Sequence, residues 1–268
     1  MRLRDIALAS TLCLTLVVTA HAQTSAVKTV KPGVLTVAID NDMPYCKEEG
    51  GKIIGIDGEI ITAIASKLGL KVEPAVMEWA AEIQAVQSGR ADTNICGMAF
   101  TAERAKTVNL SDGAYYQVSE FTQLKDSNIK SIEDLKGKTV GTIQGYFYIP
   151  NLKKIPWVGE SNLKLYNTID AAIQDLMAKR VHALLLGAPT SAWLASQHPE
   201  WNLKYEPIQG NEYMPDTVNK AYTVFSSRLD NPALVKAMNE QIAAMKKDGT
   251  IEKIMAKYNM ANPAFLMK

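Results

Sequence analysis

Short runs of β-branched and aliphatic residues alternate along this chain with stretches whose apolar positions recur every three or four residues. The first run, VLTVAI at 34–39, reads as a buried strand because it is short, continuous and closed by the loop-forming Asp40-Asn41-Asp42. Gly50-Gly51 predicts a turn. Ile60 or Ile61, Ile64 and Leu68 then share one helical face, which Gly69 ends. A second strand is predicted from 71 to 74, and a short helix over 80–88 with Ile83 and Val86 inward. A third strand is predicted over 91–96 (ADTNIC), running into Gly97-Met98-Ala99-Phe100-Thr101. Strands and helices in regular succession imply α/β architecture, with a parallel sheet covered on both faces.

The rhythm restarts in mid-chain. Residues 131–135 predict a helical turn, 139–143 (TVGTI) a strand, and Gly145 a turn. A helix over 170–178 has Thr168 as its cap and Ile173 and Met177 on one side. Residues 181–186 (VHALLL) predict a buried strand in which His182 alternates with apolar neighbours, a structural position rather than an acid/base group. Near the C-terminus Asn231 caps a helix and Pro232 fills its first position, where the missing N–H costs nothing. Leu234, Met238, Ile242 and Met245 make its apolar stripe. Gly249 ends it, and Thr250 begins another helix with Ile251, Ile254, Met255 and Tyr258. Two α/β units of this size predict a cleft between them, with ligand at the carboxyl ends of the strands.

The start of the chain departs from this pattern. Arg2 and Arg4 precede an apolar stretch from Ile6 to Ala20, and Ala20-His21-Ala22 supplies a small-x-small cleavage site. Residues 1–22 are therefore expected to be an export signal, cut before Gln23, and the product a soluble periplasmic protein. The 268 residues include 29 Lys and Arg against 28 Asp and Glu. Losing two arginines and one aspartate with the signal leaves a formally neutral chain. Such a balance gives no electrostatic ground for a nucleic-acid partner. Cys46 and Cys96 remain, either as a disulfide suited to an oxidising compartment or as two partly buried thiols. By ligand type, Met43, Cys46, Cys96 and Met98 form a weak soft-metal alternative without tight spacing.

Taken together, GVLTVAIDNDMPY (33–45), IDGEIITAIASKLG (56–69) and AVQSGRADTNICGMAFTAERAKTVNLSD (85–112) resemble the extracytoplasmic solute-binding proteins of polar amino-acid ABC importers. SIEDLKGKTVGTIQG (131–145), AAIQDLMAKRVHALL (171–185) and AMNEQIAAMKKDGTIEKIMAKY (237–258) extend the resemblance to nearly the whole exported chain. It implies a two-lobed Venus-flytrap fold, each lobe a mostly parallel sheet flanked by helices. Lobe one would be 33–121 with 222–268, and lobe two 122–221, the chain crossing near 116–123 and 221–226. It also implies a monomer without cofactor that closes on a small molecule and delivers it to an inner-membrane permease.

By the same resemblance Arg104, in the Thr101-Ala102-Glu103-Arg104 run, grips the ligand's carboxylate. A guanidinium fork matches a carboxylate and keeps its charge when partly desolvated. Gly97 and Ala99 would offer adjacent backbone groups, Trp79 an aromatic cover, and Asp40 and Asp42 polar contacts. Three features depart from the family pattern. Gly187 stands where an Asp usually receives the ligand's ammonium. Tyr146 and Phe147 follow Gly145 where a Gly-Thr turn is usual, and Ala99 replaces a hydroxyl residue. Burying an ammonium without an anion costs several kcal/mol, so the expected ligand bears a carboxylate but is aromatic or atypically amino-acid-like. A cationic solute on aromatic faces and Asp40 or Asp42 is the alternative. Two other classes remain: a dehydratase-like enzyme on the same fold, for which no catalytic motif is visible, and a sensory module that hands ligand to a membrane receptor.

Overall fold

In β1 (Val34–Ile39) the pleat sends Leu35, Val37 and Ile39 to one face and Ala38 to the other, and all four are fully buried. The computed structural model describes residues 27–215, 220–260 and 263–267; the export signal expected at 1–22 lies outside them. A hairpin of β2 (Lys47–Glu49) and β3 (Lys52–Ile54) follows, turning at Gly50 and Gly51, which both take positive φ. That turn geometry suits glycine and the twist of paired strands. Helix α1 (Ile56–Lys67) lays Ile56, Ile60, Ile61 and Ile64 against the Leu35 face of β1. Burying each isoleucine is worth roughly 1.5–3 kcal/mol. The helix starts a turn earlier than the apolar spacing implied, and Leu68 is only half-buried beyond its end.

Strand β4 (Lys71–Val76) pairs parallel with β1 in the register Val34↔Lys71 to Ile39↔Val76, and α2 (Trp79–Gln87) returns over the Ala38 face. The third strand is shorter than predicted. Only β5 (Thr93–Asn94) pairs with β1, because Asp92 uses its carboxylate to accept the Thr36 and Val30 N–H groups. Beyond it, Cys96 (φ 74°) and Gly97 (φ 72°) turn the chain out of the sheet. The one-turn helix α3 (Ala102–Ala105) and β6 (Asn109–Leu110) complete this unit.

The second sheet starts with β7 (Ser119–Leu124). After a 3-10 turn at Glu133–Leu135 come β8 (Val140–Ile143), α4 (Ile149–Leu152), β9 (Leu163–Tyr166), α5 (Ile169–Met177), β10 (Ala183–Gly187), α6 (Ala188–Gln197) and β11 (Leu203–Pro207). The order is β11-β7-β10-β8-β9. Four strands share a direction and β7 alone is reversed, antiparallel to both neighbours, so this sheet is mixed. The reason is topological: β7 brings the chain in from the first unit and so runs away from the cleft that the other strands approach. In β10, Leu184 and Leu186 face one core and Ala183 and Leu185 the other. Thr168 caps α5 by accepting from the Ala171 N–H. Met177 is exposed, and Ala172, Ile173 and Leu176 are the buried residues of that helix.

The chain returns to the first unit through β12 (Ser226–Ser227), antiparallel to β6. Tyr116 and Tyr222 form a bridge, and Gln117 N–H donates to the Ala221 carbonyl, so the outgoing and returning segments run side by side. Helix α7 (Pro232–Lys247) buries Leu234, Met238, Ile242 and Met245, and α8 (Thr250–Lys257) buries Ile251, Ile254 and Met255. The Asn231 side chain makes no cap on α7; it donates to the Lys28 carbonyl instead. Tyr258 ties α8 to α1, bonding Glu59 and the Gly55 N–H.

Candidate functional site

Loops at the carboxyl ends of β1, β5, β8 and β10 meet the amino end of the reversed β7, and a small cavity lies among them. Its volume is about 30 Å³, room for about two water molecules. Asp42, Tyr45, Trp79, Gly97, Ala99 and Arg104 line it from the first unit. Ser119, Tyr146, Phe147, Tyr148 and Gly187 line it from the second, with Gln117 on the connecting segment.

Arg104 is 9% exposed and held at three sides. Its Nη1 donates to the Ala99 carbonyl at 2.7 Å and its Nη2 to the Gly145 carbonyl at 3.2 Å. The guanidinium also lies 5.5 Å from the centre of the Trp79 ring. Burial lowers its pKa to about 10, against the pull of Glu82, so it stays charged at neutral pH. Thr101 positions it by capping α3, accepting from the Arg104 N–H. Trp79 is itself buried and meets Tyr146 edge to face at 6.0 Å. With Tyr146, Phe147 and Tyr148 it gives the cavity an aromatic wall.

The backbone groups of the 96–99 loop are shared out differently from the expectation. Gly97 N–H donates to Asp57 Oδ2 at 2.6 Å, and the Gly97 carbonyl accepts from Gln117 Nε2 at 2.5 Å. Asp57 is fully buried; its other oxygen accepts from Tyr115 at 2.6 Å, and burial raises its carboxyl to about 6. Gly97 thus serves as an anchor, while Ala99 N–H has no partner among the described residues and stands beside Arg104. Cys46 and Cys96 are joined, their Cα atoms 5.1 Å apart, which fixes the loop after β1 to the loop after β5. The soft-metal alternative thereby loses its thiolates, and Met98 Sδ is taken by the Asn94 amide.

Asp42 and Asp40 part company. Asp42 is 4% exposed and lines the cavity, where Thr190 donates to it at 2.9 Å and Tyr146 at 3.1 Å, both from the second unit. Burial raises its carboxyl to about 7 despite those bonds. Asp40 does not line the cavity. The left-handed Asn41 (φ 67°) turns the chain between them, and Asp40 stays behind against Cys46, its Oδ1 3.8 Å from Sγ. Burial pushes Asp40 well up, with Asp42 adding to it. Glu82 is buried nearby, accepts from Asn94 at 3.1 Å and is likewise pushed well up by burial and by Asp40.

Gly187 lines the cavity as the strand-end position predicts, yet no acid is missing from its surroundings, since Asp42 faces the same space. Tyr45, Asp57 and Thr190 had no role in the sequence reading. Tyr45 and Asp57 sit in the quoted stretches, and Thr190 falls three residues past Gly187, on the first turn of α6.

Compared with known proteins, the family model for bacterial extracellular solute-binding proteins, family 3, matches residues 35–261. A protein of Bacillus subtilis (strain 168) named as a probable amino-acid-binding protein, YxeM, is 28% identical over 82% of this chain and 81% of its own. The structure of an ancestral arginine-binding protein bound to glutamine aligns with a TM-score of 0.74 at 33% identity, covering 85% of this chain and 98% of that one. An ancestral amino-acid-binding protein described as a precursor of cyclohexadienyl dehydratase aligns at 0.71 and 28% identity, over 84% and 95% of the two chains.

Proposed function

This chain belongs to family 3 of the bacterial extracellular solute-binding proteins, and from that premise we propose that it captures an amino-acid-like solute in the cleft and delivers it to an ABC importer. Arg104 and the Ala99 N–H receive the carboxylate, Asp42 the amino group, and Trp79, Tyr146 and Phe147 enclose the rest. The observation that carries this reading is that Arg104 and Asp42 line one cavity, a guanidinium and a carboxylate facing the same space. Their arrangement also changes what Gly187 implied: the ammonium's charge partner comes from the loop after β1 instead of the end of β10. An aromatic-walled cavity still favours a ligand with apolar or aromatic surface.

The lobes follow the division 33–121 with 222–268, and 122–221, except that residues 119–121 go with the second lobe because β7 pairs with β10 and β11 from Ser119 onward; the hinge lies where the paired crossings run side by side. Closure is a hinge motion about a few residues of those segments. Since Asp42 is bonded by Thr190 and Tyr146 across the cleft and Arg104 donates to the Gly145 carbonyl, entry of a solute requires the lobes to part. The protein works in the periplasm as a monomer, and its partner is an inner-membrane permease.

A melting screen of the purified protein against single amino acids, aromatic carboxylates and quaternary amines tests the reading. A ligand that binds only the folded form raises the midpoint with concentration, and Arg104→Ala should abolish the shift for every carboxylate. Unchanged shifts in Arg104→Ala would remove the carboxylate grip. The likeness to a dehydratase precursor supports one rival, an enzyme, and steady conversion of prephenate or arogenate by the purified protein would establish it instead.

A further inference from the structure

Gly187 has no backbone reason to be glycine. Its φ of −70° and ψ of 139° are open to any residue. The reason lies across the cleft: a Cβ at this position would stand 2.7 Å from the Tyr45 hydroxyl oxygen, far inside contact distance, while the next nearest atoms are 3.7 Å away. The hydroxyl alone excludes a side chain there. Tyr45 is 4% exposed, lines the cavity, and has its ring pressed on Gly97, where a Cβ would lie 3.0 Å from Cε2. Among the described residues no group hydrogen-bonds the Tyr45 hydroxyl. A nearly buried hydroxyl without a protein partner, opening on a cavity, is available to whatever enters it.

We propose that Tyr45 is a specificity-determining residue of this site: its phenol takes the space of a side chain at position 187 and hydrogen-bonds the captured solute there. The proposal rests on the cleft being an amino-acid-binding site. It assigns the two sides of the cavity different chemistry, an anion at Asp42 and a neutral group at Tyr45 that both donates and accepts. A solute needing two anionic contacts at its amino end is disfavoured, and one offering an uncharged polar group toward β10 is favoured.

Positions 45 and 187 must then be coupled, and a double-mutant cycle reads the coupling. Wild type, Tyr45→Phe, Gly187→Ala and the double variant are melted in graded concentrations of an equimolar mixture of the twenty proteinogenic amino acids. Tyr45→Phe alone should need threefold to tenfold more mixture for the same shift, as expected for one uncharged hydrogen bond. Gly187→Ala should need at least tenfold more in the wild-type background. Added to Tyr45→Phe, it should change the requirement less than twofold. An equal penalty in both backgrounds, or none in either, overturns the proposal. So does a Gly187→Ala chain that fails to fold even without the hydroxyl, whereas folding rescued by Tyr45→Phe supports it. If the wild type itself shows no shift, the binding reading fails, and the role of Tyr45 falls with it.

Discussion

Asp42→Asn should make the protein more stable and a poorer binder at the same time. In the folded protein burial lifts the Asp42 carboxyl from 3.8 to about 7. Between those values the folded form holds a proton that the unfolded chain has released, so stability falls as pH rises through the window. Three pH units correspond to about 4 kcal/mol once the group is ionised in both states. Asparagine has no such proton. Its Oδ1 can still accept from Thr190, and its amide can donate to the Tyr146 oxygen, so both bonds from the second lobe survive. At pH 8 the variant should melt roughly 10 °C above the wild type for a chain of this size, and the gap should close by pH 4. Glu120, raised by burial to about 8, titrates in both proteins and cancels from the difference, whereas Asp57, Asp40 and Glu82 share charge repulsion with Asp42, and its relief in the variant acts in the same direction at pH 8. Binding should move the other way. An ammonium that loses a charged acceptor loses about 1.5–3 kcal/mol, so the affinity for an amino acid found by the melting screen should fall about tenfold to a hundredfold by calorimetry. A variant that melts lower at pH 8, or binds within twofold of wild type, would refute both the burial cost and the contact assigned to Asp42.

Two further outcomes follow from the scaffold beneath the site. Replacing Cys46 and Cys96 with serine opens a loop spanning 50 residues, which in the chain-entropy model costs about 4 kcal/mol. Urea unfolding should register that loss, and a change below about 1 kcal/mol would mean the cross-link restrains little. Asp57→Ala leaves the Gly97 N–H and the Tyr115 hydroxyl without their acceptor, at roughly 1–3 kcal/mol each. It should lower the urea midpoint and weaken ligand binding together, with Asp57→Asn in between; wild-type stability in the alanine variant would show that the loop needs no such anchor.

Wherever local pattern decides the outcome, the fold was legible in the residues. The VLTVAI run, the Thr168 cap and the Leu234–Met245 stripe are all set by neighbours a few positions away, and each formed within a residue or two of its expected place; the isoleucine face of α1 formed too, on a helix that begins a turn earlier than its spacing implied. Reversal of β7 was not legible, because strand direction depends on where the chain enters the sheet and leaves no mark in its hydrophobicity. The third strand was overcounted because Asp92 replaces ladder bonds with its side chain, a substitution that composition cannot distinguish from an ordinary polar residue. At the site, Arg104, Trp79 and Gly187 came from motif position. Asp40 and Asp42 looked equivalent until the left-handed Asn41 sent only one of them inward. Tyr45 escaped notice because its meaning lies in a neighbour more than a hundred positions on, and a missing side chain at Gly187 signals nothing until the residue opposite is known.

The closed cleft already answers its two charged groups. Arg104 rests on two carbonyls, and Asp42 accepts from two hydroxyls. At those two groups a newcomer gains only by offering something stronger, and charge-assisted bonds are about twice as strong as neutral ones. A carboxylate surpasses a carbonyl and an ammonium surpasses a hydroxyl, whereas a sugar, an alcohol or an amide brings groups no better than those it would displace. On the proposed binding reading, an uncharged metabolite gains nothing at either charged group, and selection against it precedes any question of shape.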